Sequence, residues 1–362
     1  MIQPGATIGI LGGGQLGRMI ALSCAQLGLR THILCPEADS PAFQVSAGHI
    51  CAAYDDEAAL AELARVSDVV TYEFENVPLA TAQFLAARVP VRPGPLALEV
   101  SQDRLAEKTF VQGLGIETAP FARVDSLADL EAAVKQIGLP AVLKTRRFGY
   151  DGKGQITLRD GADLSAAWDG IGRQSAILEG FVNFRREVSV VAARRADGAF
   201  AAFDVTENVH RNHILHTSTV PAAISAETAR AASDIACKIA GALDYVGVFA
   251  VELFVAECGL GEWLVVNEIA PRVHNSGHWT MDGAATSQFE QHVRAIAGWP
   301  LGDTARLFRV EMLNLIGDDV ADWQRFLADP TAHLHLYGKQ EARPGRKMGH
   351  VNRLLDRAPE GC

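Results

Sequence analysis

The sequence predicts an α/β protein of two or three domains that opens on a parallel sheet. Three observations carry this reading. Short β-branched and apolar runs alternate with helical patterns through the first quarter of the chain, the pattern of βαβ units. Val89-Pro90-Val91-Arg92-Pro93-Gly94-Pro95 is dense in chain breakers and marks a first boundary. The chain has 362 residues, and at roughly 150 residues per domain that length supports two or three cores.

Each element follows in order. A strand is expected from Thr7 to Leu11, then glycines, then a helix from Gln15 to about Leu27. A second strand is expected at Thr31 to Leu34, a helix near Glu57 to Arg65, and a third strand from Asp68 to Tyr72. The middle region starts with a helix near Gln102 to Leu114 and a buried strand at Ala141 to Lys144, then a glycine-rich loop at Gly149 to Gly154. Strand-like runs follow at Ile177 to Leu178 and Glu187 to Ala192, and an Ala-rich helix spans Glu227 to Leu243. Val246 to Val255 and Trp263 to Ile269 read as strands of a hairpin turning near Gly259. A helix from about Ser287 to Ala297 closes the region at Gly298-Trp299-Pro300, and a small mixed tail remains.

Composition excludes several classes. Hydrophobic residues make up 48% and charged residues 21%, an ordinary globular balance that argues against global disorder. The formal net charge is −10, which disfavours a nucleic-acid binder. No run approaches the roughly 20 apolar residues that span a bilayer. Met1 to Gly5 lacks the basic and apolar regions of a signal peptide. Six cysteines are scattered without a C-x-x-C, which reads as buried reduced thiols rather than zinc or disulfides. The expected compartment is the cytoplasm.

Gly12-Gly13-Gly14-Gln15-Leu16-Gly17 matches G-x-G-x-x-G between a strand and a helix. Three readings stay open: a dinucleotide, another anion at the helix N-terminus, or tight helix–strand packing. The acid that would support a dinucleotide is ill placed, because Glu37 and Asp39 follow a proline in a loop.

The run from Lys144 to Gln155 is the sharpest signal. Residues 142–153 hold four basic side chains against one acidic. Lys144 ends an apolar strand, which holds its ammonium at a fixed place where a phosphate can be met. Gly149, Gly152 and Gly154 let backbone amides approach phosphate oxygens. This is not a P-loop, since no G-K-[ST] opens a helix. Glu179-Gly180-Phe181-Val182 follows an apolar strand and suits a hinge whose backbone pairs with an adenine edge. Glu187 stands ready to accept ribose hydroxyls.

Glu252 and Glu268 both interrupt strongly apolar strands. In a hairpin, Glu252 falls opposite Asn267 or Glu268, and opposed Cβ atoms lie about 5 Å apart. Two half-buried carboxylates that close repel and lose hydration. A divalent cation removes both penalties, and oxygen ligands with phosphates specify Mg²⁺ or Mn²⁺ rather than zinc. In the polar run Pro271 to Thr280, His274 and His278 are four apart, but the intervening Asn-Ser-Gly argues against a helix, so hydrogen-bonding roles are preferred to a metal pair.

Taken together, these residues resemble the ATP-grasp superfamily, with the strand lysine, glycine lid, hinge and paired acids in its order. Within it the chain is most similar to the 5-(carboxyamino)imidazole ribonucleotide synthase family. Four segments carry the likeness: Ile10 to Met19, Gly149 to Gln155, His274 to Thr280, and His335-Leu336-Tyr337-Gly338-Lys339 with Arg346-Lys347-Met348-Gly349-His350. The resemblance implies a Rossmann-like N-terminal domain (1–95), an ATP-grasp domain of two subdomains (96–299) and a small mixed β C-terminal domain (300–362). It implies that Arg104, Lys144, the 149–155 loop (Gly149, Tyr150, Asp151, Gly152, Lys153, Gly154, Gln155), Glu179, Gly180, Phe181, Val182, Glu187, His210, Asn267 and Glu268 bind ATP. Glu252 and Glu268 would hold Mg²⁺ or Mn²⁺. Gly14, Gln15, Leu16, Glu75, Tyr150, Arg272, His274, Asn275 and Ser276 would contact a ribonucleotide whose phosphate meets Lys339 and Arg346. Tyr150, Asp151, Lys153 and Arg272 would be catalytic.

The implied reaction is ATP- and bicarbonate-dependent carboxylation of an aminoimidazole ribonucleotide in purine synthesis, by a cytoplasmic homodimer with no nucleic-acid or membrane partner. Rival readings are another ATP-grasp ligase, such as a formate-dependent transformylase or a biotin carboxylase-like enzyme, and an NAD-binding oxidoreductase built on the glycine motif. The tail segments separate the first rival and the paired acids the second. The acidic total hides two basic patches, +3 over residues 142–153 and +4 over residues 339–357, which suit small anionic substrates.

Overall fold

The computed structural model describes residues 1–149, 152–258 and 261–357. Three sheets build it. The first is parallel and joins β1 (Thr7–Leu11), β2 (Arg30–Cys35), β3 (Gly48–Cys51) and β4 (Val69–Tyr72) in the order β3-β2-β1-β4. All four residues of β4 are buried, as parallel strands covered on both faces require. The helix Gln15–Gln26 follows β1 as expected. The edge strand β3 and the helix Leu79–Ala86 were not anticipated. Gly48–Cys51 is short and only half-buried, so it lacks the apolar run that betrays a central strand. Pro95 does not end the breaker segment but opens the helix Pro95–Ser101 at its first turn, where its missing N–H costs nothing.

The second sheet forms a small lobe with its own core. It joins β5 (Phe121–Val124), β6 (Ala141–Thr145), β7 (Gln155–Leu158) and β8 (Ala176–Gly180) in the order β5-β8-β6-β7, all antiparallel. Leu130, Leu143, Trp168 and Leu178 pack in that core. The glycine-rich loop connects β6 to β7, so Lys144 leads into it and Gln155 follows it.

The third sheet has nine strands: β9 (Arg186–Arg194), β10 (Phe200–Ala202), β11 (Thr206–Arg211), β12 (Ile214–Val220), β13 (Gly247–Cys258), β14 (Gly261–Ala270), β15 (Phe308–Ile316), β16 (Ala332–Leu336) and β17 (Lys347–Arg357). Its order is β14-β13-β9-β11-β12-β15-β17-β16, with β10 on β9. Antiparallel pairing of β12 with β15, Thr217 opposite Leu313, makes the C-terminal strands a continuation of the central sheet rather than a separate one. That pairing brings Lys347, at the start of β17, to the same cleft as the central strands.

One core couples the N-terminal sheet to the third. Met19, Ile20 and Cys24 of the first helix pack with Phe289, Val293 and Ile296 of the helix Gln288–Ala297. Each such side chain contributes about 1.5–3 kcal/mol on burial. His292 adds a polar tie: it accepts the Val248 amide at Nδ1 (3.0 Å), so the proton sits on Nε2, which donates to Thr71 (2.9 Å). Cys24 and Cys35 are buried free thiols as expected, whereas Cys51 and Cys237 are exposed. No helix among the described residues is long and apolar enough to cross a membrane.

Candidate functional site

A cleft of about 780 Å³ lies where the N-terminal unit, the small lobe and the long sheet meet. Gln15, Leu16 and Glu75 line it from the first unit, and Lys144, Gly149, Gly152, Lys153 and Gln155 from the lobe. Arg104, Glu187, His210, Glu252, Asn267, Glu268, Arg272, His274 and Asn275 line it from the centre, with Lys347 from β17. A side arm runs past Val142, Glu179, Gly180, Phe181 and Val182 to the stacked rings of Phe184 and Phe254, 4.5 Å apart. Tyr150 and Asp151, expected at this cleft, lie outside the described residues, as does the turn near Gly259.

The paired acids fall where the hairpin expectation put them, with one addition. Glu252 on β13 is the register partner of Glu268 on β14. The register then shifts: Leu253 faces Val266, and Asn267 is the extra residue of a β-bulge. A bulge re-aims side chains, and here both Asn267 and Glu268 line the cleft. Of the two partners left open by the sequence, Glu268 is the one opposite Glu252, and Asn267 stands beside it as the extra residue. Asn267 Oδ1 is buried without a hydrogen-bond partner. Two carboxylates and an orphaned amide oxygen make a hard donor set that fits a divalent cation also held by ligand phosphates. Among the described residues no cluster of three or more acidic, histidine or cysteine side chains forms a self-sufficient metal cage.

Each acid also meets a nitrogen-bearing side chain. His274 Nε2 lies 3.1 Å from Glu252 Oε1, and Arg104 Nη1 lies 3.2 Å from Glu268 Oε2. Burial alone would raise the Glu252 carboxyl, but the His274 hydrogen bond and the nearby His274, His210 and Arg272 hold it well below the usual range. Ser276 is fully buried and orients His274 from behind: its Oγ meets His274 Nδ1 (2.9 Å) and Ser189 Oγ (2.6 Å). Asn275 exchanges two hydrogen bonds with Asn314 of β15, at 3.0 and 2.9 Å. The 274–278 segment is a 3₁₀ turn rather than an α-helix, so His274 and His278 do not form a metal pair.

Lys144 stands over Glu179. Its Nζ is 3.0 Å from Glu179 Oε2, and the same oxygen is 3.6 Å from Lys108 Nζ. Burial pushes the Glu179 carboxyl up, but Lys144 and Lys108 outweigh it and hold it at about 2. Glu179 therefore carries a buried carboxylate held by two lysine ammonium groups. The Gly180 and Phe181 amides are already committed to the carbonyls of Pro120 (2.8 Å) and Pro140 (3.1 Å). Gly154, at φ +70°, lies where a Cβ would strike Thr145 Oγ1 at 2.5 Å. His210 Nδ1 sits 2.9 Å from Glu187 Oε2; burial lowers its pKa, but Glu187 more than restores it.

The N-terminal glycines require a correction. The amides of Gly14 and Gly17 are taken by the two carboxylate oxygens of Glu73. A Cβ on Gly12 would strike Glu73 at 2.4 Å. The helix N-terminus thus holds an anion, but it is the chain's own carboxylate, which excludes a dinucleotide pyrophosphate and removes the Gly14 amide from any ligand. Burial raises the Glu73 carboxyl despite the two amides. Two residues on, Glu75 grips Arg272 through both oxygens. Burial would raise Glu75, but Arg272 holds it at about 2.

Lys339 and Arg346 do not line the cleft. Lys339 Nζ donates to the Lys347 carbonyl (2.7 Å), and Arg346 Nη1 to the Glu341 carbonyl (2.9 Å). Burial, then the Arg346 charge, lowers Lys339 to about 8, against the pull of Glu73.

Sequence reasoning missed Glu73, Lys108, Glu107, Lys347, Phe184 and Phe254. Signals existed for three of them: Glu73 shares an acidic run with Glu75, and Glu107 and Lys108 follow Arg104 at helical spacing.

Comparison with known proteins places this geometry. Residues 109–289 match the ATP-grasp domain, residues 5–102 the ribonucleotide synthetase preATP-grasp domain, and residues 311–360 the phosphoribosylaminoimidazole carboxylase C-terminal domain. The chain is 56% identical over 358 residues to the N5-carboxyaminoimidazole ribonucleotide synthase of Brucella melitensis, covering 98% of each. A solved ADP complex of an N5-carboxyaminoimidazole ribonucleotide synthetase aligns with TM-score 0.94 and 44% identity, over 98% of this chain and 94% of that one. The Aspergillus clavatus synthase, solved with ADP and 5-aminoimidazole ribonucleotide, aligns with TM-score 0.91 and 31% identity over the same shares. The chain belongs to the N5-carboxyaminoimidazole ribonucleotide synthase family of ATP-grasp enzymes.

Proposed function

We propose that this chain couples ATP cleavage to carboxylation of the amine of 5-aminoimidazole ribonucleotide, forming N5-carboxyaminoimidazole ribonucleotide, ADP and phosphate. The observation that carries the reading is the Glu252–Glu268 pair, with Asn267 beside it, in one cleft with Lys144 and Arg272. The apolar side arm suits a purine ring and the basic lobe its phosphates.

Bicarbonate oxygen attacks the γ-phosphorus of ATP and releases ADP, giving carboxyphosphate. Charge spreads over the phosphoryl oxygens in that step, so fixed cations do most of the catalysis. Lys144 and Arg272 supply them, each oriented by its own buried carboxylate, Glu179 and Glu75. A Mg²⁺ or Mn²⁺ ion held by Glu252, Glu268 and Asn267 would add Lewis-acid stabilisation of phosphoryl charge. The 149–155 loop closes over the reactive carboxyphosphate and excludes water. The carboxyl then passes to the ribonucleotide amine as the C–O bond to the phosphate breaks and inorganic phosphate leaves, and the amine proton goes to Asp151, aided by Tyr150. Lys153 lines the cleft from the loop and faces the same anions.

Gln15, Leu16, Glu75, His274 and Asn275 would hold the ribonucleotide, with Ser276 acting through His274. Lys339 and Arg346 would meet its phosphate once the segment shifts toward the cleft. A homodimer and a cytoplasmic location accompany this reading, and sedimentation tests the first.

The deciding experiment measures phosphate release from ATP with and without the aminoimidazole ribonucleotide and bicarbonate. Release stimulated by both supports the assignment. Turnover indifferent to the ribonucleotide sinks it.

A further inference from the structure

The helix Arg104–Gly113 meets the bulged end of β14 along one face. Arg104, Glu107 and Lys108 stand at i, i+3 and i+4, the spacing that aligns side chains on a helix. Arg104 reaches the Glu268 carboxylate, and Glu107 Oε1 accepts the Ile269 amide at 2.6 Å. Lys108 Nζ donates to the carbonyls of Val266 (3.1 Å) and Asn267 (2.7 Å), the residues at the bulge itself. Lys108 is only 1% exposed and does not line the cleft, so it reaches no ligand.

The bulge decides where Glu268 points. Leu253 faces Val266, so a regular ladder would set Glu252 opposite Asn267 and Val251 opposite Glu268. Successive strand residues point to opposite faces, and a one-residue slip turns each side chain over. Val251 is fully buried in the core. Without the bulge, the Glu268 carboxylate would turn from the cleft into that core.

We propose that Lys108 is a positioning residue: its ammonium holds the Val266–Asn267 backbone in the bulged form that presents Asn267 and Glu268 together, and so sets the affinity for the divalent cation that accompanies the nucleotide. The inference rests on the nucleotide- and cation-binding reading of the cleft. Glu179 supplies the counter-charge, and its Oε2 serves Lys108 and Lys144 at once.

The test is calorimetric titration of ADP into the full chain, once with Mg²⁺ and once with a chelator. In Lys108→Met, ADP affinity in chelator stays within about 2-fold of wild type, while the gain conferred by Mg²⁺ falls about 10-fold or more. Lys108→Gln, which keeps a donor, restores part of that gain. If Lys108→Met does not fold by circular dichroism, Lys108→Gln carries the test, with a partial loss of the Mg²⁺ gain expected. An unchanged gain, or an equal loss with and without metal, overturns the proposal. A wild-type chain that binds no ADP overturns the nucleotide reading and this inference with it; the other failures overturn the inference alone.

Discussion

The Glu73 carboxylate accepts the Gly17 amide at 2.6 Å through one oxygen and the Gly14 amide through the other. Residues 56 and 59 positions apart thereby close a loop at the N-terminus of the first helix. An arrangement that in nicotinamide enzymes cradles a pyrophosphate is satisfied here from within.

Glu73→Gln replaces one accepting oxygen by an NH₂ group that cannot accept an amide proton. One buried N–H is left unpaired, which costs about 1–3 kcal/mol. Urea melts at pH 7 should show a lower midpoint at unchanged slope. A midpoint equal to wild type would show that the amides find other partners.

Glu252→Gln and Glu268→Gln each remove one charge from the proposed cation site. Each should lower ATP turnover by about 10²-fold or more, the usual scale for a group that acts on transition-state charge. A chelator should abolish turnover in the wild-type chain, and added Mg²⁺ should restore it. Phosphate release checks all three.

Stability should fall steeply in acid. Glu179 and Glu75 are held at about 2 against an ordinary 4.5. Their stabilisation is complete above pH 4.5 and disappears as pH falls toward 2. For Glu179 it is on the order of 3 kcal/mol at 1.36 kcal/mol per unit. His292, lowered to about 3 by burial, acts with the same sign from pH 6.5 downward, because the unfolded chain takes the proton first. Glu107, raised to about 8 by burial and the Glu268 charge, acts oppositely between pH 8 and 4.5. Denaturant midpoints should therefore drop most sharply below pH 4.5, and Glu179→Gln should flatten that drop.

Lys339 is lowered to about 8, so it loses its charge just above neutrality. If it meets the ribonucleotide phosphate, the ribonucleotide KM should rise above pH 8 while the ATP KM stays level. Lys339→Met should raise the ribonucleotide KM about 10-fold or more at pH 7, the scale of one charged hydrogen bond, and should remove the pH dependence. Equal effects on both KM values would refute the phosphate role.

Asn275 and Asn314 tie the cleft loop to β15 through two buried hydrogen bonds. Asn314→Ala strands the Asn275 amide, at a cost of about 1–3 kcal/mol. Thermal melts should register it, together with a higher ribonucleotide KM.

Local pattern was enough for much of this protein. β-branched runs, helical patterns and breaker clusters depend on neighbours in sequence, so β1, the first helix, β14 and the helix Gln288–Ala297 were legible within a residue or two, and β13 within three. Apolar strands interrupted by Glu252 and Glu268 announced a paired-acid site because a charge in a core strand needs a partner. The quoted segments from Ile10 to His350 carried the family. Tertiary structure alone decided the rest. Which residue becomes the bulge, which carboxylate fills the glycine amides, and where β15 joins the long sheet all depend on pairing between residues far apart in the chain. No local propensity encodes such a pairing, since the free energy that selects it comes from burial and hydrogen bonds that exist only once both partners are in place. Lys108 is the sharpest case: in sequence it is one more polar residue on a helix, and only the fold brings its ammonium under the bulge that aims Glu268.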